Sequence, residues 1–448
     1  MALTGIQIFK LLPKTNCGKC GFPTCLAFAM SLAAGKVELS ACPDVSEDAK
    51  AQLAEASTPP IRTVAIGAGD RALKVGGEIV MFRHEKRFEN PNGFALLITD
   101  TMDDAEVNAR LERFKQFEYE RIGLILRPEL IAVKDESGDA GKFEVLVKKI
   151  KLSSDGSLIL MSSNPDILAA GLRACADRKP LIYAATKDNL EAVTDLAKEN
   201  ACPVAVKASS LEELAALTTK LTESGVNDIV LDPGSRSLRQ AFEDQIIIRG
   251  SALINKFRPL GFPTIVFPGE MTDDPMKEAV IAAMFVAKYG GIIVLSNFYG
   301  ESLFPLLVER LNIYTDPQRP LATTEGIYEI GSPDESSPVL LTTNFSLTYF
   351  IVSGEIETSK VSSYLLVKDT DGLSVMTAWA AGKFVADTIA PFVKKCGIGD
   401  KVKRHKLIIP GYAAGESGGL EEELPGWEIL VGPRDGSLIP AYLKTWKS

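Results

Sequence analysis

The middle of the chain alternates short apolar runs with amphipathic stretches. Helical patterns occupy 103–119, 165–177, 190–200, 211–224 and 275–289. The apolar runs are 94–100, 121–126, 158–163, 180–186, 203–208, 228–233, 264–269 and 291–297. Continuous apolar strands separated by helices are typical of a parallel sheet that helices cover on both faces. Eight such strands over roughly 250 residues predict a TIM (β/α)8 barrel, with 67–93 as a hairpin or cap.

Polar side chains stand at the ends of most of these predicted strands. They are Asp100, Asn164, Lys207, Asp232, Glu270 and Asn297. In a (β/α)8 barrel such positions line the carboxyl-terminal mouth, where ligands bind. Each is also explained as a helix cap, and Asn164 before Pro165 suits an N-cap. The loop 232–235 can bind an anion through its amides. Because no P-loop, catalytic triad or HExxH motif occurs, we predict no active site in the barrel.

The strand–helix pattern resumes after a stretch rich in proline and serine at 315–338. Predicted strands at 339–343, 363–368, 406–409 and 427–431 each lead into a loop rich in Gly, Ser or Thr. Residues 326–330 are a further structured candidate, one helix is predicted over 373–386, and a last helix runs to 446. A small open α/β sheet of the Rossmann-like kind binds ligands at the carboxyl ends of its strands. The loops alone do not identify the ligand, since no GxGxxG is present.

Four of the seven cysteines crowd the start of the chain with the spacing C-x2-C-x4-C-x16-C. They are Cys17, Cys20, Cys25 and Cys42. Gly18 and Gly21 allow turns that aim the first three sulfurs at one point. A helix that begins at Cys25 and ends near Gly35 lets the chain return to the fourth.

Four converging thiolates bind either a [4Fe–4S] cluster or a structural zinc. Three cysteines on one loop, and a fourth followed by Pro43, favour the iron–sulfur cluster. The remaining interpretation, buried free thiols or a disulfide, explains the spacing and the interleaved glycines less well.

Composition along the chain indicates the domain boundaries and limits the classes of partner. We predict a cluster module at 1–57 with a helical tail at 46–57, a barrel at 58–316 and an α/β domain at 317–448. The net charge of −9 argues against a nucleic-acid partner. No apolar run reaches the roughly 20 residues that cross a bilayer, and the amino terminus carries no signal-peptide pattern. We therefore expect a cytoplasmic protein without a membrane partner.

The whole chain resembles the large (gamma) subunit of the corrinoid iron–sulfur protein of the acetyl-CoA pathway. The resemblance rests on TNCGKCGFPTCLAFAMSLAAGK at 15–36 with ACP at 41–43, DTDGLSVMTAWAAGKF at 369–384 and WEILVGPRDGS at 427–437. It implies a [4Fe–4S] cluster on the four cysteines and a cobamide in the last domain. By the same resemblance the corrinoid contacts are Leu340, Thr343, Asn344, Phe345, Ser346, Thr370, Asp371, Gly372, Leu373, Ser374, Thr377, Gly411, Tyr412, Gly432 and Pro433.

The resemblance also implies a function, that of a methyl carrier within a corrinoid methyltransferase system. A separate methyltransferase delivers a methyl group from methyltetrahydrofolate to the Co(I) state, and acetyl-CoA synthase/CO dehydrogenase receives it. The cluster, fed by a low-potential electron donor, returns oxidised Co(II) to Co(I). A small subunit completes a heterodimer and covers the corrin.

One absence in the sequence suits a corrinoid of this kind. The last domain has no Asp-x-His-x-x-Gly motif, and its single histidine, His405, begins a predicted strand. A cobalt without a histidine ligand is easier to reduce.

Two other functions remain open at this stage. One is an iron–sulfur electron-transfer subunit without a corrinoid, in which the barrel and the last domain serve as scaffold. The other is a barrel methyltransferase that binds the pterin itself, near Asp100 and Asp232.

Overall fold

We describe a computed structural model of the chain over residues 5–33, 37, 39–46, 49, 53, 59–121, 124–316 and 320–446. The chain divides into two compact units. The first comprises Met1–Glu118 and Arg127–Tyr314, and the second comprises Tyr119–Leu126 and Thr315–Ser448. Within the described ranges, no helix combines the length and the apolar character that crossing a membrane requires.

The amino-terminal segment of the first unit contains two short helices, α1 (Gly5–Leu11) and α2 (Cys25–Ala33). Their apolar side chains form a small core around Phe28, which is fully buried. The Thr24 hydroxyl accepts a hydrogen bond from the Ala27 amide and so satisfies a free donor at the start of α2. The predicted start of this helix is confirmed. Its predicted end at Gly35, and most of the tail predicted at 46–57, lie outside the described residues.

A two-stranded antiparallel sheet, β1 (Val64–Ile66) and β2 (Leu73–Val75), precedes the barrel. Its inward side chains are fully buried in the same apolar cluster as the inner residues of the barrel strands. The Ser157 hydroxyl lies 3.2 Å from both the Ile66 and the Arg71 carbonyl oxygens. The predicted hairpin or cap therefore exists, and it covers the amino-terminal end of the barrel core.

The barrel is closed and eight-stranded, as predicted, and each of its strand pairings is parallel. In chain order the strands of this region are β3 (Gly93–Thr99), β4 (Tyr119–Arg121), β5 (Leu124–Leu126), β6 (Leu130–Lys134), β7 (Ser157–Met161), β8 (Leu181–Ala185), β9 (Val204–Lys207), β10 (Ile229–Asp232), β11 (Thr264–Val266) and β12 (Gly290–Leu295). All except β4 and β5 belong to the barrel.

One predicted strand is wrong, the run at 121–126. Arg121 and Leu124–Leu126 of this run belong to an antiparallel strand pair, β4–β5, which groups with the second unit. Leu124 and Ile125 are 47% and 52% exposed, so the run is not a buried barrel strand. The second barrel strand is β6, whose apolar side chains are fully buried. Apolar character alone did not separate a surface hairpin from a core strand.

Helices cover the outside of the barrel. They are α3 (Asp104–Gln116), α4 (Ala140–Ser153), α5 (Pro165–Cys175), α6 (Leu190–Asn200), α7 (Leu211–Glu223), α8 (Leu238–Leu253), α9 (Pro275–Ala287) and α10 (Gly300–Tyr314). Side-chain caps begin several of them, and Asn164 caps α5 by accepting from the Asp166 amide at 2.9 Å. The N-cap interpretation of Asn164 is thus confirmed. Three of these helices, α4, α8 and α10, were not predicted from the sequence.

The second unit contains a five-stranded sheet in the order β13-β15-β14-β16-β17. Its elements are β13 (Gly326–Ile330), β14 (Val339–Thr343), α11 (Ser346–Ser359), β15 (Ser363–Lys368), α12 (Val375–Ala380), α13 (Ala386–Lys395), β16 (Lys406–Ile409), α14 (Ser417–Glu423), β17 (Glu428–Val431) and α15 (Ile439–Leu443). Only the edge strand β13 runs antiparallel among these pairings. The predicted strands are confirmed, within one residue for the last of them.

Two helix predictions in this unit need correction. The single helix expected over 373–386 is two helices, α12 and α13, because Gly382 takes a positive φ of 69° and ends the first. The Lys383 and Phe384 amides then both donate to the Ala378 carbonyl oxygen. The last helix ends at Leu443 and does not reach 446.

A buried ion pair joins the cap of the barrel to its outer helices. Arg249 of α8 donates to the Glu78 carboxylate at 3.1 Å and to the Val80 carbonyl oxygen at 2.6 Å. Its guanidinium lies 4.6 Å from the ring centre of Phe88 and 4.2 Å from that of Tyr289. Burial raises the pKa of the Glu78 carboxyl, and the positive charge of Arg249 opposes that rise.

Replacing Arg249 with methionine should destabilise the first unit by about 3–5 kcal/mol, because Glu78 is left buried without its partner. The Glu78 pKa then rises further above its unfolded value. A carboxyl with a raised folded pKa loses stabilisation as pH increases, so the deficit should grow between about pH 5 and about pH 8. Urea unfolding measures both effects.

Arg239→Met is the matched control, because Arg239 lies on the same helix and its ion pair with Glu243 is exposed. It should change stability little at either pH. Equal losses in the two variants would show that the buried pair has no special role.

Candidate functional sites

The cysteine-bearing loop is shaped by backbone turns. Asn16, Gly18 and Gly21 all have a positive φ, of 48°, 72° and 82°. A Cβ added to either glycine meets no atom within 4 Å, so these positions need glycine for conformation and not for space. The Asn16 side chain accepts from the Cys25 amide at 2.8 Å, which ties the loop to the start of α2.

The four cysteines lie in or beside the amino-terminal core and differ in their burial. Cys25 and Cys42 are buried in that core, Cys20 is half-buried against it, and Cys17 is exposed. Burial raises the pKa of the Cys42 thiol, the Asp44 amide lowers it, and the charges of the other three cysteines raise it again. Each of the other thiols is therefore close enough for its charge to act on Cys42.

An ion pair closes this loop over the fourth cysteine. Lys19 Nζ lies 3.1 Å and 3.0 Å from the two carboxylate oxygens of Asp44. The Cys17 sulfur is 3.5 Å from the same carboxylate. The hydrogen bond from Lys19 lowers the pKa of the Asp44 carboxyl. These contacts hold the loop that carries Cys17 and Cys20 against the segment that follows Cys42.

The fit of a metal cluster rests on this donor set. In the described part of the chain, no three His, Cys, Asp or Glu side chains are close enough together to bind a metal ion. Four thiols on one loop and one returning segment nevertheless supply the ligands that a [4Fe–4S] cluster takes. Burial raises the pKa of the Cys175 thiol to about 12 and that of the Cys202 thiol to about 11, so both stay protonated at neutral pH.

A cavity of about 330 Å³ lies in the second unit, at the carboxyl ends of β14, β16 and β17. Five predicted corrinoid contacts line it, namely Leu340, Ser374, Tyr412, Gly432 and Pro433. Its inner wall is apolar, because Leu340, Ile408 and Ile439 are buried there. Its volume is at the lower end of the range of small-molecule sites.

Buried hydroxyl groups without partners mark this end of the sheet. Thr342 lines the cavity, is 1% exposed, and its Oγ1 makes no hydrogen bond within the described structure. The hydroxyls of Thr343, Ser346 and Thr323 are also buried and make no hydrogen bond within the described residues. Leaving a buried hydroxyl unpaired costs about 1–3 kcal/mol. These groups therefore suit a polar ligand that supplies the missing partners.

Several other predicted contacts shape the loops beside the cavity. The Asn344 side-chain oxygen accepts from the Thr370 amide and hydroxyl and from the Gly372 amide. Thr370 also donates to the Leu373 carbonyl oxygen. Asp371 has a positive φ of 55° and pairs with Lys383. These residues fasten the loops after β14 and β15 to each other.

The remaining predicted contacts also lie in these loops. Phe345 bridges to Ala322 and begins α11, and the Thr377 and Ser374 hydroxyls lie 3.1 Å apart. A Cβ on Gly411 would stand 2.7 Å from the Arg434 nitrogen and from the Gly432 carbonyl oxygen. Glycine at 411 therefore lets two loops approach closely.

Sequence reasoning missed part of the cavity lining. The missed residues are Leu341, Thr342, Thr348, Ile351, Val352, Val375, Met376, Ile408, Ile409, Pro410, Arg434, Gly436 and Ile439. Thr348, Ile351 and Val352 follow the i, i+3, i+4 spacing of one helix face, a signal that was available. Arg434 lies 5.9 Å from the ring centre of Tyr412 and places a cation at the cavity.

The polar residues predicted at the barrel mouth mostly bond to one another. Asp100 accepts from the Glu136 amide and from the Ser137 amide and hydroxyl. Asp232 accepts from the Tyr183 hydroxyl at 2.5 Å and from both terminal nitrogens of Arg236.

Within the described residues, the other members of this set have partners too, with one exception. Glu270 pairs with Arg236, and the Asn297 side chain accepts from Arg113. The Gly234 amide, considered above as an anion donor, donates instead to Asp232 at 2.8 Å. Lys207 is the exception, and it lines a separate cavity of about 510 Å³.

The chain was compared with protein families and known proteins. The CdhD family, described as CO dehydrogenase/acetyl-CoA synthase delta subunit, matches residues 63–443, and an Fe-S cluster family matches residues 12–43. The corrinoid/iron-sulfur protein large subunit of Moorella thermoacetica is 46% identical over 444 residues, which are 99% of each chain. The acetyl-CoA decarbonylase/synthase complex subunit gamma of Methanopyrus kandleri is 35% identical over 99% of this chain and 97% of that protein.

Among solved structures, 7,8-dihydropteroate synthase from Vibrio fischeri matches 57% of this chain and 100% of its own, with 13% identity and a TM-score of 0.40. The full-length relatives and the family match carry the assignment. This chain belongs to the family of corrinoid/iron-sulfur protein large subunits and acetyl-CoA decarbonylase/synthase gamma subunits.

Proposed function

We propose that this chain is a corrinoid-dependent methyl carrier of the acetyl-CoA pathway. A [4Fe–4S] cluster is held by Cys17, Cys20, Cys25 and Cys42, and a cobamide occupies the cavity at the carboxyl ends of β14, β16 and β17. When bound, the cobamide supplies a cobalt atom that accepts and donates a methyl group, and the cluster supplies the electron that restores the cobalt after oxidation.

The observation that carries this proposal is the unpaired Thr342 hydroxyl in the cavity wall. It is buried, it lies at the edge of the sheet where α/β domains bind ligands, and it makes no hydrogen bond within the described residues. A corrinoid carries amide side arms on its rim, and these groups pair with hydroxyls. The apolar wall beside Thr342 excludes water from the same face.

The position of the only histidine in the second unit supports a cobalt without an imidazole ligand. The ring of His405 stacks on Trp427 with 4.8 Å between ring centres, and its Nε2 lies 3.3 Å from the Gly399 carbonyl oxygen. His405 precedes β16, whereas the cavity lies beyond the other end of that strand. Four strand residues span roughly 13 Å, so the imidazole is held away from the cavity.

The loop contacts around Asn344 have a clear task in this proposal. They join the loops after β14 and β15, so that hydroxyls and amides on both loops keep fixed positions toward one ligand. The Trp379 indole donates to Glu416 at 2.7 Å, and Glu416 also accepts from the Ala386 amide. These bonds hold α12, which contributes Met376 to the cavity, against the body of the unit.

Partners follow from the same proposal. The relatives are named as subunits of larger assemblies. We therefore expect a small subunit, a methyltetrahydrofolate:corrinoid methyltransferase, an acetyl-CoA synthase/CO dehydrogenase and a low-potential electron donor. The alternative, an electron-transfer subunit without a corrinoid, leaves the unpaired Thr342 hydroxyl of the cavity wall without a partner.

Replacing Cys42 with serine should remove most of the bound iron and the visible absorption of the cluster, because one of four thiolate ligands is lost. Cys396→Ser is the control, because Cys396 belongs to the second unit, where its sulfur lies 3.4 Å from the Val393 carbonyl oxygen. Iron retained in the first variant and lost in the second would overturn the ligand assignment.

Replacing Thr342 with valine should weaken cobamide binding about tenfold, because one hydrogen bond to the ligand is lost. The cobamide-free protein should be as stable as the wild type or slightly more stable, since the variant removes an unpaired buried hydroxyl. Titration with hydroxocobalamin and thermal unfolding measure the two quantities.

Thr358→Val serves as the control for that titration. Its hydroxyl donates within α11, to the Gly354 carbonyl oxygen at 2.8 Å, on an exposed face. Cobamide affinity should be unchanged. If Thr342→Val bound cobamide as tightly as the wild type and lost stability, the hydroxyl would have a structural partner and not a ligand.

A further inference from the structure

The barrel has its own cavity, of about 510 Å³, that the proposed methyl-carrier function does not use. It lies beyond the carboxyl ends of β6, β7, β8, β9 and β10, where (β/α)8 barrels bind their ligands. Its volume is within the range of small-molecule sites. Lys134, Lys187 and Lys207 bring three ammonium groups to its lining.

Lys207 points into this mouth because of the alternation along β9. Ala205 belongs to the inner core of the barrel, and Lys207 follows it by two residues on the same face of the strand. Its Cα pairs with that of Asp232 on β10, whose side chain is buried.

The acidic groups near Lys207 are already matched by other donors. Asp232 is held by Tyr183 and by both terminal nitrogens of Arg236. Its charge is therefore met inside the barrel and does not require the lysine.

Two carboxylates of the cavity wall are likewise engaged. Asp135 accepts from the Ser162 hydroxyl at 2.7 Å and from the Gly138 amide at 2.9 Å. Glu213 accepts from the Ser209 amide and hydroxyl at 2.9 Å and 2.7 Å.

The lysines differ from one another in their partners. Lys134 pairs with Glu136 at 3.0 Å, and Lys187 is 4.0 Å from Glu213. Lys207 is exposed at this open cavity, and it has no hydrogen bond or ion pair with any residue in the described ranges. Among the carboxylates that line the cavity, Asp188 alone likewise has no hydrogen bond or ion pair with any residue in the described ranges. Its carboxylate can accept a hydrogen bond from a donor on the ligand.

We infer that the barrel mouth binds a small molecule through an oxyanion, a carboxylate or a phosphate, placed against Lys207. An ammonium group that faces a cavity and lacks a protein counter-ion forms a charge-assisted hydrogen bond with such a group. Lys187 lines the same cavity. This site belongs to the first unit and is independent of the cobamide cavity of the second.

The test is isothermal titration of the full-length protein with inorganic phosphate and, separately, with succinate. The wild type should bind at least one of the two saturably in the millimolar range, and the stronger of the two identifies the oxyanion as phosphate or carboxylate. Lys207→Met should weaken that binding roughly tenfold to hundredfold. Lys207→Arg, which keeps the charge, should retain most of it.

Lys277→Met is the control for general charge effects, because Lys277 is an exposed lysine on α9, remote in the chain from the cavity lining. It should bind as the wild type does. The inference is overturned if the wild type binds neither anion saturably, or if Lys207→Met and the wild type bind equally.

Discussion

Parallel strands can be joined only by a crossover that returns the chain to the same end of the sheet, and both units of this protein depend on that constraint. Every loop that follows a parallel strand lies at the carboxyl edge. In the second unit this edge brings together loops that are about 90 residues apart in the chain, after β14 and β17. In the first unit it closes five strand ends around the barrel mouth.

The two proposed cofactor sites meet this constraint differently. The cysteines lie within one short stretch, so their geometry comes from local turns at Asn16, Gly18 and Gly21 and from a helix start at Cys25. The cavity of the second unit has no such local origin. It exists only after the sheet has formed, and the unpaired Thr342 hydroxyl there costs free energy that the proposed ligand offsets.

The difference explains how much the sequence could predict. The C-x2-C-x4-C-x16-C spacing favours an iron–sulfur cluster before any fold is known, and continuous apolar runs located seven of the eight barrel strands. The run at 121–126 was wrongly predicted as a barrel strand because apolar residues also form surface hairpins. That Leu124 and Ile125 are exposed cannot be inferred from their residue types. Likewise, the break at Gly382 depends on a positive φ that glycine permits but does not require.

The cavity was predicted less completely, for a related reason. The loop after a strand can be recognised in the sequence, and Ser374, Tyr412 and Gly432 were predicted on that basis. Side chains that reach the cavity from inside the strands and from the face of α11, such as Thr342 and Ile351, require the three-dimensional packing. Asn344 and Thr370 lie in the loops that follow β14 and β15, as predicted. That their side chains hydrogen-bond to each other is shown only by the side-chain geometry.

The most direct test of this account is metal analysis, together with a visible spectrum, of the full-length protein purified without oxygen and supplied with a cobamide. The account predicts about four irons and one cobalt per chain. Four irons and no cobalt, even after reconstitution, would contradict the carrier function and leave an iron–sulfur electron-transfer subunit.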